Sequence, residues 1–271
     1  VRIVAVLSWY DESPGWLAAC VAGVGRLVDE VVAVDGAYQL MPGGRPRSSA
    51  DQADAVLSAA EAADVGCVLY RPRELWAGNE VEKRQACAEL ALTRTSSRRD
   101  WLLVVDADMH VVKLEPDIVR AELEDTDRDV ATSTLIDTRD HLVDDEARVR
   151  DLARDQGLAT SWTTRDRNLF RADPTLRYGP AHWTISVGVN ANARRWLRGP
   201  EPDIHRSSLA PALDLNANLV YAHRRQAREA QRRFDAEGYY QRRDRYGIEA
   251  FETDAFLGEL DVSGAGVRRT G

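Results

Sequence analysis

The segment Trp101–His110, WLLVVDADMH, runs an apolar stretch straight into Asp106-Ala107-Asp108. In an extended chain residues i and i+2 face the same side, so these two carboxylates would point together and repel unless a cation or a donor sits between them. Hard divalent cations take carboxylate oxygens, and Mg²⁺ or Mn²⁺ keeps several waters and bridges to phosphates. An Asp-x-Asp also occurs in any solvated turn. What sets this one apart is the buried-strand pattern immediately before it. Acids close other apolar runs too: RIVAVLSW leads into Tyr10-Asp11-Glu12, and EVVAV into Asp35-Gly36. Asp-Gly is a common turn signal, but here it follows a fully apolar strand pattern.

The elements that must position these acids follow from the apolar pattern. RIVAVLSW and EVVAV are continuous runs, as expected of strands covered on both faces. Between them Ser13 and Pro14 have the form of an N-cap and a first helical residue. Leu17, Cys20, Val21, Val24, Leu27 and Val28 follow at helical spacing. After the Gly/Pro loop QLMPGGRPR, a helix is expected over 50–63, a third strand at GCVLY, and a helix near 79–93 that buries Ala86, Cys87, Leu90 and Ala91. A fourth strand is expected at WLLVV, and Pro116 opens another helix. Strand and helix alternating in this way predict an α/β fold with a doubly wound, mostly parallel sheet. Such sheets bind ligands beyond the carboxyl ends of their strands, where all of these acids fall.

Composition narrows the classes. The 271 residues carry a net charge of −8, which argues against a whole-chain nucleic-acid binder. No apolar stretch approaches the roughly 18 residues of a membrane span, and the run Ile3–Leu7 is too short for a signal peptide's apolar core. Cys20, Cys67 and Cys87 lie far apart in apolar or helical settings without zinc spacing, so buried thiols in a reducing, cytoplasmic setting are expected.

VLSWYDESPGWLAACVAGVGRLVDEVVAVDGAY resembles the opening of family 2-type glycosyltransferases with the GT-A fold, and GNEVEKRQACAELA followed by DWLLVVDADMH resembles that family's next block. The resemblance is good over residues 1–125 and looser through NLFRADPTLRYGPAHW and VYAHRRQAREAQRRF to about 245. It implies a GT-A, Rossmann-like sheet with a smaller mixed β and helical C-terminal part. Residues 1–125 would form the nucleotide-sugar and metal half, and 126–258 the acceptor half of the same domain. It also implies roles. Leu7 and Ser8 would touch the base or ribose. Asp35 would accept a hydrogen bond from a uracil-type base. Arg84 or else Lys83 would serve the nucleotide. Asp106 would lie near the ribose and the metal's water shell, Asp108 would ligate Mn²⁺ or Mg²⁺, and His223, ending LVYAH, would complete the coordination. Sugar transfer from a nucleoside diphosphate needs a stabilised leaving group, which a divalent cation provides.

The second half is harder to read. Residues 128–170 mix strand-like and helix-like runs, and NLFRADPTLRYGPAHWTISVGV has the form of two strands around a Pro/Gly turn. NLVYAHRR reads as a short strand entering an Arg-rich helix over 224–245, which holds eight Arg and four acids. That helix is either a solvated face with internal ion pairs, a diphosphate clamp, or a dock for an anionic acceptor. The last residues, 259–271, read as a flexible tail. A base for the acceptor's proton is sought among Asp137, Asp140, His182 and Asp203. His182, in GPAHW, is followed by Trp183 where related sequences carry an acid, so it serves the acceptor or the fold. His110, His141 and His205 read as structural. Trp9, Trp76, Trp162 and Trp183 could stack on sugar or pack in the core.

These features imply a metal-dependent transfer of a sugar from a nucleotide donor, a UDP-sugar first, to an acceptor hydroxyl on a protein, glycan, small molecule or modified nucleic acid. A sugar-nucleotide-forming nucleotidyltransferase is the enzyme rival, but LSWYDESPGW lacks the glycine-rich phosphate loop it would need. A non-catalytic nucleotide or nucleic-acid binding module, using the Arg-rich helix, is the other rival.

Overall fold

The computed structural model describes residues 1–41, 43–138, 145–155, 163–179, 185–188, 195–198 and 209–224. The apolar runs form the strands. β1 (Ile3–Ser8), β2 (Glu30–Val34), β3 (Gly66–Tyr70) and β4 (Trp101–Asp106) pair in parallel in the order β3-β2-β1-β4. Their connections are α1 (Pro14–Gly25), α2 (Ala50–Ala62) and α3 (Glu80–Leu92). α1 and α2 cover one face, with Leu17, Cys20, Val21 and Val56 against Ile3, Ala5 and Leu7. α3 covers the other, with Ala86, Cys87 and Ala91 against Val4, Val6 and Val104. Val4 and Ala5 thus face opposite layers. Burial on both sides is why β1 shows no polar alternation.

The sheet continues past β4. β5 (Met109–Leu114), α4 (Pro116–Asp125), β6 (Val130–Thr138), α5 (Glu146–Asp155), β7 (Thr163–Arg171), β8 (Arg177–Tyr178), β9 (Ile185–Val187), β10 (Arg195–Arg198), β11 (Leu213–Asp214) and β12 (Leu219–Arg224) follow in sequence. The nine-stranded sheet runs β3-β2-β1-β4-β7-β6-β12-β5, with β11 beside β6. β7 is antiparallel to β4 and β6, β12 is parallel to β6, and β5 is antiparallel to β12. A separate three-stranded sheet, β10-β9-β8, packs on the α3 face through Tyr178, Ile185, Val187 and Leu197. The fold is therefore the α/β, doubly wound, mostly parallel arrangement with a smaller β region that the sequence predicts.

Four details differ from the sequence reading. β5, over Met109–Leu114, is a strand additional to those expected from the sequence. The region after β7 forms three short strands. Ser13 precedes α1 but its side chain makes no cap hydrogen bond. Asn79 does cap α3: Val81 N–H donates to Asn79 Oδ1 at 2.7 Å and Asn79 N–H to Glu82 Oε2 at 2.9 Å. The three cysteines are free and buried. Among the described residues no helix is long and apolar enough to cross a membrane. His141, His182, His205, Asp140, Asp203, Trp162, Trp183, the body of the Arg-rich segment and the tail lie outside the described residues.

Candidate active site

The sheet's switch point lies between β1 and β4, whose connections leave in opposite directions. An open cleft of about 260 Å³ sits there, lined by Ser8, Trp9, Tyr10, Glu12, Arg84, Asp106, Ala107, Asp108 and His223. Register aligns the tips, with Ser8 beside Val34 on one side and Asp106 on the other.

The two carboxylates of the Asp-x-Asp do not act as a pair on one face. β4 ends at Asp106, and Ala107 and Asp108 form a turn into β5, so strand alternation stops between them. Asp106 Oδ1 accepts from Arg84 Nη1 at 2.6 Å. Asp108 Oδ2 lies 3.5 Å from His223 Nε2. His223 is brought there by register, because β12 pairs His223 with Met109, the residue after Asp108. The same strand pairs His223 with Asp137 on β6.

α3 carries two cations in succession with different fates. Arg84 reaches Asp106 and also donates through Nε to Glu80 Oε1 at 2.8 Å. Burial opposes its charge, but the carboxylates of Asp106 and Glu80 outweigh burial and hold it well above its ordinary pKa. Lys83 turns inward. It is 3% exposed, and Nζ donates to Trp9 O at 2.6 Å and Gly36 O at 2.5 Å, stapling the tips of β1 and β2. Burial, partly offset by Asp35, lowers its pKa to about 8. Its ammonium is thus committed to backbone carbonyls rather than to the cleft.

Asp35 is also internal. It is fully buried; Ser48 N–H donates to its two oxygens at 3.2 and 3.1 Å, and Arg71 Nε donates at 2.9 Å. A base contact at this carboxylate would have to displace Arg71 or the Ser48 amide. Gly36 follows at φ 106°, and a Cβ there would stand 2.2 Å from Pro46 O, so only glycine lets Pro46 pack onto the β2 tip. Leu7 is a fully buried core residue, leaving Ser8 as the tip of β1 that reaches the cleft. Trp9 lines the cleft, whereas Trp76 is core and donates through Nε1 to Asp35 O at 2.8 Å. His110 is core, edge-on to Trp16 with ring centroids 5.2 Å apart.

The cleft carries Glu12, Asp106 and Asp108 against Arg84, so with a neutral His223 it is anionic by two charges. Its residues suit a hard divalent cation in type and spacing. The Asp108 carboxylate and the His223 imidazole, 3.5 Å apart, are close enough to share one cation, the carboxylate as the hard oxygen ligand and the imidazole as a borderline nitrogen donor. Among the described residues no group of three or more His, Cys, Asp or Glu is placed to hold a metal unaided. A cation here would complete its shell with water and ligand oxygens.

Neither a protein-family model nor a curated protein matches this chain. Solved structures show loose similarity. Staphylococcus aureus TarS is 14% identical with a TM-score of 0.34, covering 53% of this chain and 23% of that one. The TarS 1–349 complex with UDP-GlcNAc is 14% identical, TM-score 0.35, covering 53% and 37%. The glucosyl-3-phosphoglycerate synthase of Mycobacterium tuberculosis, in complex with Mn²⁺ and UDP-glucose, is 13% identical, TM-score 0.38, covering 92% and 80%. The matched part of this chain corresponds to well under half of either TarS chain. These overlaps are too loose to carry a ligand or an activity to this chain.

Two participants are absent from the roles assigned from sequence. Glu12 was visible only as a tip acid. Glu80 lies four residues before Arg84, an acid-before-base spacing that is readable on any helix.

Proposed function

We propose that the chain is a metal-dependent glycosyltransferase that moves a sugar from a nucleoside diphosphate, UDP first among them, to an acceptor hydroxyl. The observation that carries this reading is the Asp108–His223 pair at the mouth of an anionic cleft on the sheet's switch point. A cleft two charges negative repels a diphosphate brought alone and accepts one brought with a divalent cation. Asp108 and His223 are the residues that would hold Mn²⁺ or Mg²⁺. When bound, the cation neutralises charge on the departing diphosphate. Ser8 contacts the nucleoside beside the β1 tip. Asp106 orients Arg84, whose remaining N–H groups face the phosphates. Lys83 and Asp35 act behind the cleft by fixing the tips of β1 and β2 and the Ser48 backbone. Asp137, in register with His223, is the candidate base for the acceptor's proton, and Asp137→Asn is expected to lower turnover while leaving donor binding intact.

The test is calorimetric binding of UDP, GDP, CDP and dTDP, each with and without Mn²⁺, to wild type and Asp108→Asn. Binding of one diphosphate that requires Mn²⁺ and is lost in the variant fits the reading. Binding of none under either condition sinks it. A non-catalytic binder would lose little on Asp108→Asn. A nucleotidyltransferase would require nucleoside triphosphate, and the Trp9–Ser13 connection has no glycine to cradle it.

A further inference from the structure

Arg84 is the cleft's fixed cation, yet it does not meet a ligand as a free charge. Its guanidinium has five N–H donors. Nε is on Glu80 Oε1 at 2.8 Å and Nη1 on Asp106 Oδ1 at 2.6 Å. Both ion pairs are largely sheltered: the Arg84 side chain is 13% exposed, Glu80 23% and Asp106 27%. One arginine is therefore flanked by two carboxylates at close range, one in the cleft and one behind it.

We infer that Glu80 is a positioning and selectivity residue: by pairing with Arg84 it aims the guanidinium at Asp106 and, with Asp106, outweighs its charge, so that a nucleoside diphosphate enters only with a cation. This rests on the donor-site reading above and deepens it. Without Glu80's charge, Arg84 would have one acid instead of two. Arg84 and Asp106 would then balance each other, the surroundings of the cleft would be one charge less negative, and the discrimination between bare and cation-bound diphosphate would shrink. Aim and charge separate on substitution, because Glu80→Gln keeps an acceptor oxygen for Arg84 Nε but removes the charge.

A merely structural role predicts something else. Glu80 is in the first turn of α3, where an acid favours the helix dipole. If that were its function, Glu82 would behave alike, since it is also in the first turn and closes the capping box without an ion pair to Arg84. Glu82→Gln is therefore the control.

The experiment measures UDP binding by calorimetry without metal and with saturating Mn²⁺, together with Mn²⁺ binding alone by electron paramagnetic resonance. The proteins are wild type, Glu80→Gln and Glu82→Gln. For Glu80→Gln, metal-free UDP affinity is expected to rise on the order of three- to tenfold. Mn²⁺ alone is expected to bind a few-fold more weakly, and Glu82→Gln to change neither. An unchanged ratio of the two UDP affinities, a loss in both arms, or the same change in Glu82→Gln overturns the role. If wild type binds Mn²⁺ but no UDP, the donor reading fails and the selectivity role falls with it, whereas an unchanged ratio with UDP bound overturns the role of Glu80 alone. If wild type binds neither, both readings fall.

Discussion

The two sides of the sheet deliver side chains to the cleft differently. On the β1–β4 side each tip is held locally. Trp9 N–H donates to Val34 O at 3.0 Å, Lys83 grips the Trp9 and Gly36 carbonyls, and Arg84 crosses to Asp106. On the β6–β12–β5 side His223, the cleft residue among those described, is held by strand register. It sits opposite Met109 on β5 and Asp137 on β6, beyond a register shift between Val220 and Tyr221. The first side is a set of buried hydrogen bonds that fail one at a time. The second is a pairing in which a one-residue slip would turn His223 to the other face. The cation site is formed where the two sides meet, across the turn at Ala107–Asp108.

That contrast makes the largest prediction concern the residue common to both sides. Asp108→Asn keeps the turn but removes the charged ligand, and metal-dependent diphosphate affinity should fall roughly a hundredfold or more. His223→Ala leaves Asp108 and the phosphate oxygens to hold the ion, so a smaller loss of roughly ten- to a hundredfold is expected in the same titration. Equal losses would mean that the ion depends on the register as fully as on the turn. A loss at His223 alone would reverse the comparison.

The hydrogen-bonded side has a pH signature that the register side lacks. Burial lowers the pKa of Lys83 from 10.5 to about 8, so the folded state releases this proton before the unfolded state does. Below about 8 both states hold the proton, and the buried ammonium opposes folding. Between about 8 and 10.5 the unfolded state binds more protons, so this group's contribution to stability rises with pH. Urea unfolding of wild type and Lys83→Met across that window isolates the effect. The wild-type stability should gain on the variant by on the order of 2–3 kcal/mol as pH rises. A flat difference would mean that Lys83 is not held as a buried cation between the two strand tips.

The same division explains what could be read from the chain. β1, β2 and β4 were legible because a strand covered on both faces shows as an unbroken apolar run, β3 as a short apolar run at the sheet edge, α1 as a 3.6-residue repeat and α4 by Pro116 at its start. Asp106, Asp108 and His223 stand at the ends of apolar runs and could be singled out on that ground, whereas Arg84, with Lys83 as the alternative, entered through the family resemblance. The direction of a polar side chain was not. Lys83 and Arg84 are neighbours in sequence, yet one enters the core and one the cleft, a matter of helix phase against β1 and β4. Asp35 looked like a tip carboxylate available to a ligand, but Arg71 and the Ser48 amide, distant in sequence, enclose it. β5 escaped because HVVKL follows the Asp-x-Asp without a turn signal, and its partner β12 lies more than a hundred residues on.

The smallest expected effect separates two caps that look alike in sequence. Asn79 and Ser13 both precede a helix behind a strand tip. Asn79 accepts from Val81 N–H and forms a closed box with Glu82, whereas Ser13 makes no side-chain cap bond. Removing a working cap costs about 1 kcal/mol, so Asn79→Ala should lower stability by about that amount and loosen the first turn that carries Glu80 and Arg84. Ser13→Ala removes a side chain that satisfies no helix N–H, and Pro14 already supplies the first helical residue. Its cost should stay within a few tenths of a kcal/mol. Denaturant unfolding of the two variants checks the difference. A Ser13→Ala loss as large as that of Asn79→Ala would show that the β1–α1 connection depends on its cap, and the first side of the sheet would then be less fully held by Lys83 than the hydrogen bonds at its tips imply.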